Sequence, residues 1–177
     1  IIMNYSIIFY IIGCVLKFEG IFMLLPTIVS IIYKEHLFQY YLIVAVICLV
    51  LGFIFCSKKT DRSKLYTREG FVSVALSWIA LSALGAVPFV LTGDIPSYID
   101  ALFETISGFT TTGASILTDV EVLSKSGLFW RSFTHWIGGM GVLVFIMALL
   151  PLTGGSTMNL MKAESPGPSV DKLVPHV

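Results

Sequence analysis

Charge is scarce in this sequence. Lys, Arg, Asp and Glu make up 12% of its 177 residues, about half of the roughly 25% usual in globular domains. The charge present is balanced, with 11 basic and 11 acidic residues, so no basic footprint for nucleic acid exists. Cysteine is nearly as rare. Cys14, Cys48 and Cys56 are odd in number and lie in or beside apolar runs. They read as small buried hydrophobes, not as a disulfide framework or a metal site. His135 has no second histidine or cysteine at ligand spacing, so no metal ligand set is expected. Also missing are a Ser/His/Asp set, a carboxylate pair at catalytic spacing and a phosphate-binding glycine loop. Those absences argue against an enzyme and against a bound cofactor. Neither a basic segment before the apolar start nor a small-residue cleavage site after it marks a cleavable signal.

What the chain has instead is apolar length. It is 56% hydrophobic, the composition of an integral membrane protein. A spanning helix needs about 20 predominantly apolar residues, and four candidates qualify: about 7–32, 37–55, 71–90 and 128–150. The first carries Lys17 and Glu19 within it and Pro26 near its end. Charges two apart do not share a helix face. Lys17 is expected to snorkel towards one surface and Glu19 to face a neighbouring helix, although an intramembrane charge is by default a functional candidate. The chain opens Ile1-Ile2 before Met3 and closes in the polar stretch SPGPSVDKLVPHV, which suggests a piece of a longer protein.

Orientation follows from the basic residues. The stretch from Ser57 to Gly70 holds Lys58, Lys59, Arg62, Lys64 and Arg68 against Asp61 and Glu69. By the positive-inside rule it is cytoplasmic, and the amino terminus with it. Seven of the 11 Lys and Arg then lie inside and two, Lys34 and Lys125, outside. The acidic segment from Thr92 to Gly127 falls on the outer face, with Asp94, Asp100, Glu104, Asp119 and Glu121.

Within that outer segment lies Phe103 to Ser115, FETISGFTTTGAS. Ser97 and Asp100 form a Ser-x-x-Asp amino-terminal cap, which predicts a helix over about Tyr98 to Ser107. Such a helix is ~15 Å long, half the ~30 Å hydrocarbon thickness. Gly108 suits its end, and Thr110 to Ala114, extended, would cover a similar distance back. Irregular backbone at membrane depth is tolerated only inside protein or along a water-filled path, so the pattern reads as a re-entrant pore loop. The helix would point the negative end of its dipole at mid-membrane. Thr110, Thr111 and Thr112 would offer carbonyls and hydroxyls in place of an ion's water, and Gly113 would give the backbone freedom to turn its carbonyls inward. The acidic outer segment would concentrate cations at the mouth. The bland alternative is a Thr-rich outer turn. No second copy of the pattern occurs, and one loop cannot enclose an ion. The chain must therefore oligomerise or be part of a longer one.

Two readings of Glu104 stand side by side. It could bond filter amides and hold the loop rigid, or face the outer vestibule as a solvated acid. In the last span Arg131 and His135 are i and i+4, and Gly138 and Gly139 continue their face, which should turn towards protein. Gly138, Gly139 and Gly141 each cost a helix about 1 kcal/mol relative to alanine; close packing is the expected reason, a hinge the alternative. The fold class expected is an all-α membrane protein. It would have four transmembrane helices plus one re-entrant pore helix and filter loop. Residues 1–67 would hold two leading helices and the basic loop, 68–155 one helix–pore-loop–helix repeat, and 156–177 a cytoplasmic linker.

Three strings, REGFVSVALSWIALSALGAVPFVLTG, ALFETISGFTTTGAS and FWRSFTHWIGGMGVLVFIMALLPLTGG, carry a resemblance. Together they cover about residues 68–155, and they resemble the TrkH-type potassium uptake proteins of the Trk/Ktr/HKT superfamily. The leading helices fit the extra amino-terminal pair of the TrkH branch. The resemblance implies four non-identical repeats around a central pore in the inner (plasma) membrane, with potassium as the transported ion. It implies filter oxygens at Thr111, Thr112 and Gly113, with Thr110 adjacent. Members assemble as homodimers and dock on a cytoplasmic nucleotide-binding ring, so both are implied partners besides the lipid bilayer. The family's gating loop and the basic residue below its filter belong to later repeats. The alternative function is a non-conducting membrane subunit that assembles with a full-length cation transporter.

Overall fold

A computed structural model describes residues 5–57 and 67–149. Most of the basic stretch (58–66) and the expected linker 156–177 lie outside the described residues. Seven helices and a single short 3-10 turn at Val120–Val122 make up the described fold, which contains no strand among those residues.

The first apolar run forms α1 (Tyr5–Phe22) and α2 (Leu24–Ile32), joined at Met23. The join has a local cause. Pro26 has no N–H to donate to the carbonyl of Phe22, so the helical ladder loses a rung one turn upstream of the proline. Thr27 mends the next turn, its hydroxyl donating to the Met23 carbonyl at 2.9 Å. The two helices together give a 28-residue membrane-capable run. A tight turn at Lys34, with φ 55°, leads to α3 (Phe38–Cys56).

α3 shows which solvent the protein inhabits. Tyr41, Val44, Ala45 and Cys48 are fully buried, while Ile43, Val46, Val50, Phe53 and Ile54 stand exposed on the other side. A helix apolar all round is stable only within a larger core or in lipid. Its backbone amides are satisfied internally, as a bilayer demands.

α4 (Thr67–Gly85) and α5 (Val87–Thr92) repeat the theme of a helix broken at proline, here Pro88. Fully buried Trp130 fills the break and donates its indole N–H to the Gly85 carbonyl at 2.9 Å. Together α4 and α5 supply the third apolar run, Glu69–Thr92. α4 begins at Thr67, so Arg68 and Glu69, expected in the basic loop, belong to its first turn.

α6 (Tyr98–Phe109) is the short helix expected after Ser97, whose hydroxyl accepts from the Asp100 amide at 3.4 Å. α7 (Lys125–Leu149) contains the fourth expected span. It breaks at Gly141, where φ 72° and ψ 147° suit glycine alone. Three stretches among the described residues, Tyr5–Ile32, Phe38–Cys56 and Glu69–Thr92, are long and apolar enough to cross a membrane. The protein is an all-helical, multi-pass membrane protein.

The two halves of the fold meet at the start of α7. Glu35, in the turn between α2 and α3, accepts from the amides of Lys125 (2.7 Å) and Ser126 (3.2 Å) and from the Ser126 hydroxyl (2.7 Å). Asp94, just after α5, accepts from the Ser124 amide at 3.0 Å and hydroxyl at 2.6 Å. Both carboxylates sit where the helix dipole and its unpaired amides favour negative charge.

The intramembrane charges of α1 are placed differently from each other. Lys17 Nζ lies 4.3 Å from the centre of the Phe53 ring. Glu19 is 2% exposed and packs against Gly85 of α4, with no hydrogen-bond partner among the described residues. It lines a cavity of about 20 Å³ shared with Leu81, Phe109 and Ile137.

Candidate functional site

The loop after α6 begins by folding back over the helix end. The Thr111 amide donates to the Gly108 carbonyl at 2.9 Å and the Thr112 amide to the Ser107 carbonyl at 3.0 Å. This is the Schellman arrangement, whose left-handed position is normally glycine. Here Thr111 occupies it, at φ 56°. A β-branched residue at that angle is an outlier, and such strain, of order 1–3 kcal/mol, persists only where the surroundings enforce it. Gly108, expected to end the helix, lies inside it, and the helix runs to Phe109. The extended segment expected from Thr110 therefore starts only after this turn. Gly113 then takes φ 75°.

The consequence is a division of the backbone groups. The amides of Thr111, Thr112 and Gly113 point back to the Ser107 and Gly108 carbonyls. Among the described residues the carbonyls of Thr111, Thr112 and Gly113 accept no hydrogen bond. Thr110 through Ile116 are exposed. The three threonine hydroxyls, expected beside the carbonyls as ion ligands, are engaged within the loop: Thr110 with Ile106 and Thr112, and Thr111 with the Thr110 carbonyl. The carbonyls of Thr111, Thr112 and Gly113 thus take part in no hydrogen bond among the described residues, and the hydroxyl oxygens, which donate, keep acceptor lone pairs.

Behind the loop stands a buried polar cluster. Glu104 is 1% exposed. Its carboxylate accepts from the Ser115 hydroxyl at 3.0 Å and the Ile116 amide at 3.1 Å, and it forms an ion pair with Arg131 of α7. It turns to the loop backbone and is shielded from solvent. Ser107 reaches the same loop segment from inside the helix, its hydroxyl donating to the Ala114 carbonyl. Two bonds to one carboxylate and one from Ser107 thereby fix residues 114–116 relative to α6.

α7 seats the whole unit. A side chain at Gly108 would collide with Thr134, and one at Gly138 with the Phe109 backbone. Of Gly138, Gly139 and Gly141, for which close packing is the expected reason, Gly138 alone is shown closely packed. Gly139 faces open space and Gly141 makes the break. Sequence reasoning put Arg131 on an inward face without finding its partner 27 residues away, and it missed Ser107, Ser115 and Thr134. Of these only Thr134 faces a glycine, Gly108 of α6, while Ser107 and Ser115 find their partners through the turn that folds the loop back. Among the described residues no group of three or more His, Cys, Asp and Glu could hold a metal ion.

With this geometry in hand, comparison with known proteins is informative. The sequence model of the TrkH family, described as cation transport protein, matches residues 36–174. A cation transporter of Methanocaldococcus jannaschii is 40% identical over 158 residues, covering 89% of this chain and 33% of that protein. The Trk system potassium uptake protein TrkH of Halomonas elongata is 35% identical over 178 residues, covering 99% of this chain and 37% of its own. The crystal structure of the potassium transporter TrkH from Vibrio parahaemolyticus superposes with a TM-score of 0.76 at 31% identity. That match takes in 92% of this chain and 36% of the other. The chain spans about a third of the length of these relatives.

Proposed function

Because the chain belongs to the TrkH family of cation transport proteins, we propose that it forms one of four walls of a potassium uptake pore. Residues 1–67 are the leading pair with its basic loop, 68–155 the first helix–pore-loop–helix repeat, and 156–177 the link to later repeats. The carbonyls of Thr111, Thr112 and Gly113, with Thr110 beside them, replace the water of a potassium ion as it passes. Glu104 and Gly108 hold that loop in place. No covalent chemistry is involved, and the ion moves down its electrochemical gradient.

The observation that carries this reading is the orientation of the loop backbone. Its amides are turned in to the end of α6 and its carbonyls are left exposed. A stack of unsatisfied carbonyls in a membrane protein needs either water or a cation. The exposed apolar residues flanking it, Ile99, Phe103 and Ile106 on α6, need cover as well, which the remaining walls would give. The cytoplasmic amino terminus, the inner-membrane location, the homodimer and the nucleotide-binding ring belong to the same proposal. They rest on the charge bias and on family membership.

Gly113→Val in the complete protein tests it. Valine cannot adopt φ 75° without strain, yet nothing lies within 4 Å of the position a Cβ would take. The variant should reach the membrane at normal abundance and lose potassium flux at least tenfold. Unchanged flux would remove the loop from the conduction path.

A further inference from the structure

Cys14 on α1 and Cys56, the last residue of α3, are 42 residues apart in sequence, yet their Sγ atoms lie 3.6 Å apart. The Cys56 thiol also lies 3.6 Å from the Tyr10 carbonyl. The helices are held there by backbone contact. A Cβ on Gly13 would stand 2.8 Å from Phe55 Cβ, and one on Gly52 would stand 2.7 Å from the Gly13 carbonyl. With both glycines in place the two backbones cannot slide apart without opening the most extensive helix pairing in the fold. The thiols are therefore kept as near neighbours, a situation that raises effective concentration enormously over two free thiols.

We propose that Cys14 and Cys56 form an intramolecular dithiol site that closes to a disulfide when it meets a low-molecular-weight disulfide. Closing needs the sulfurs to approach from 3.6 Å to about 2.05 Å. The order of events follows from access. Cys56 is half-buried at the end of its helix and Cys14 is buried, so the Cys56 thiolate attacks first. It bonds to one sulfur of the small disulfide and expels the other as a thiolate. The Cys14 thiolate then attacks Cys56 Sγ in the mixed disulfide and expels the second small thiolate. Two protein thiols are oxidised, one small disulfide is reduced to two thiols, and the two protons end on those thiols. Cys48 is fully buried, two helical turns before Cys56 on α3, and stays reduced.

The test uses the full-length protein in membrane vesicles, treated with 4,4′-dithiodipyridine and then alkylated, digested and analysed by mass spectrometry. A linked peptide pair containing Cys14 and Cys56, reversible by dithiothreitol, is expected to account for nearly all of both residues. Cys14→Ser should trap Cys56 as a stable thiopyridyl adduct. Cys56→Ser should leave Cys14 alkylatable, and Cys48→Ser should preserve the link. A stable adduct on Cys56 of the unsubstituted protein would overturn the proposal, since no resolving thiol would then be in reach. So would full alkylation of both residues. Serine is nearly isosteric with cysteine, and the Cys48→Ser result separates a failed fold from a failed link.

Discussion

The leading helices and the repeat that follows them solve different problems. α1 and α3 meet mainly through packing, with backbone against backbone at Gly13 and Gly52, the Phe9 and Phe55 rings together and Lys17 over the Phe53 ring. α6 and α7 instead enclose a charged pair and several hydroxyls. The first pair need only pack, and in lipid close packing of small residues is the available attraction. The second must hold a non-helical segment, including a threonine at φ 56°, against relaxation. Van der Waals contact cannot specify the direction of a carbonyl. Hydrogen bonds from Ser107 and to Glu104 can.

If that contrast is correct, the largest effect should come from separating the ion pair. Arg131→Met leaves the Glu104 carboxylate buried without its counter-charge and is expected to destabilise by about 3–5 kcal/mol. Thermal unfolding of the purified full-length protein measures it, and potassium flux should fall with it. The double substitution Glu104→Gln with Arg131→Met should recover most of the stability but little of the flux, because the Ile116 amide then meets a weaker acceptor. Additive losses in that pair would mean that Glu104 and Arg131 act independently. Gly138→Ala is a steric test in the same region. Its methyl group would press on the Phe109 backbone, at a cost of about 1–3 kcal/mol as overpacking, and the displaced loop should raise sodium flux relative to potassium. The smallest effect is expected at the joint between the two regions. Glu35→Gln keeps the shape but weakens the cap on α7, a loss of about 1 kcal/mol, visible as a lower unfolding midpoint with unchanged ion preference.

Much of the architecture was legible because membrane spans are read from length and apolarity, and helix starts from short-range chemistry. Ser97 and Asp100 announce α6 within four residues. Pro26 and Pro88 account for the breaks after α1 and α4 in the same local way. What could not be read lies across the fold. The periodicity of α7 turns Arg131 inward, but only the packing of α6 against it brings Glu104 opposite. The cysteines looked like isolated small hydrophobes, and the crossing of α1 and α3 makes two of them neighbours. Gly108 misled for a related reason. Glycine near a helix end suggests termination, yet here it admits Thr134 of another helix, and the left-handed position passes to Thr111 three residues later.

The contact between Glu35 and the start of α7 also sets a timetable. Lys125 is 90 residues beyond Glu35, a distance that at about 5–20 residues per second takes roughly 5–20 s to synthesise. Until Lys125 and Ser126 exist, the Glu35 carboxylate cannot have the three partners it holds in the finished fold. The contact that joins the two parts of the chain is therefore one that only a finished first repeat can make.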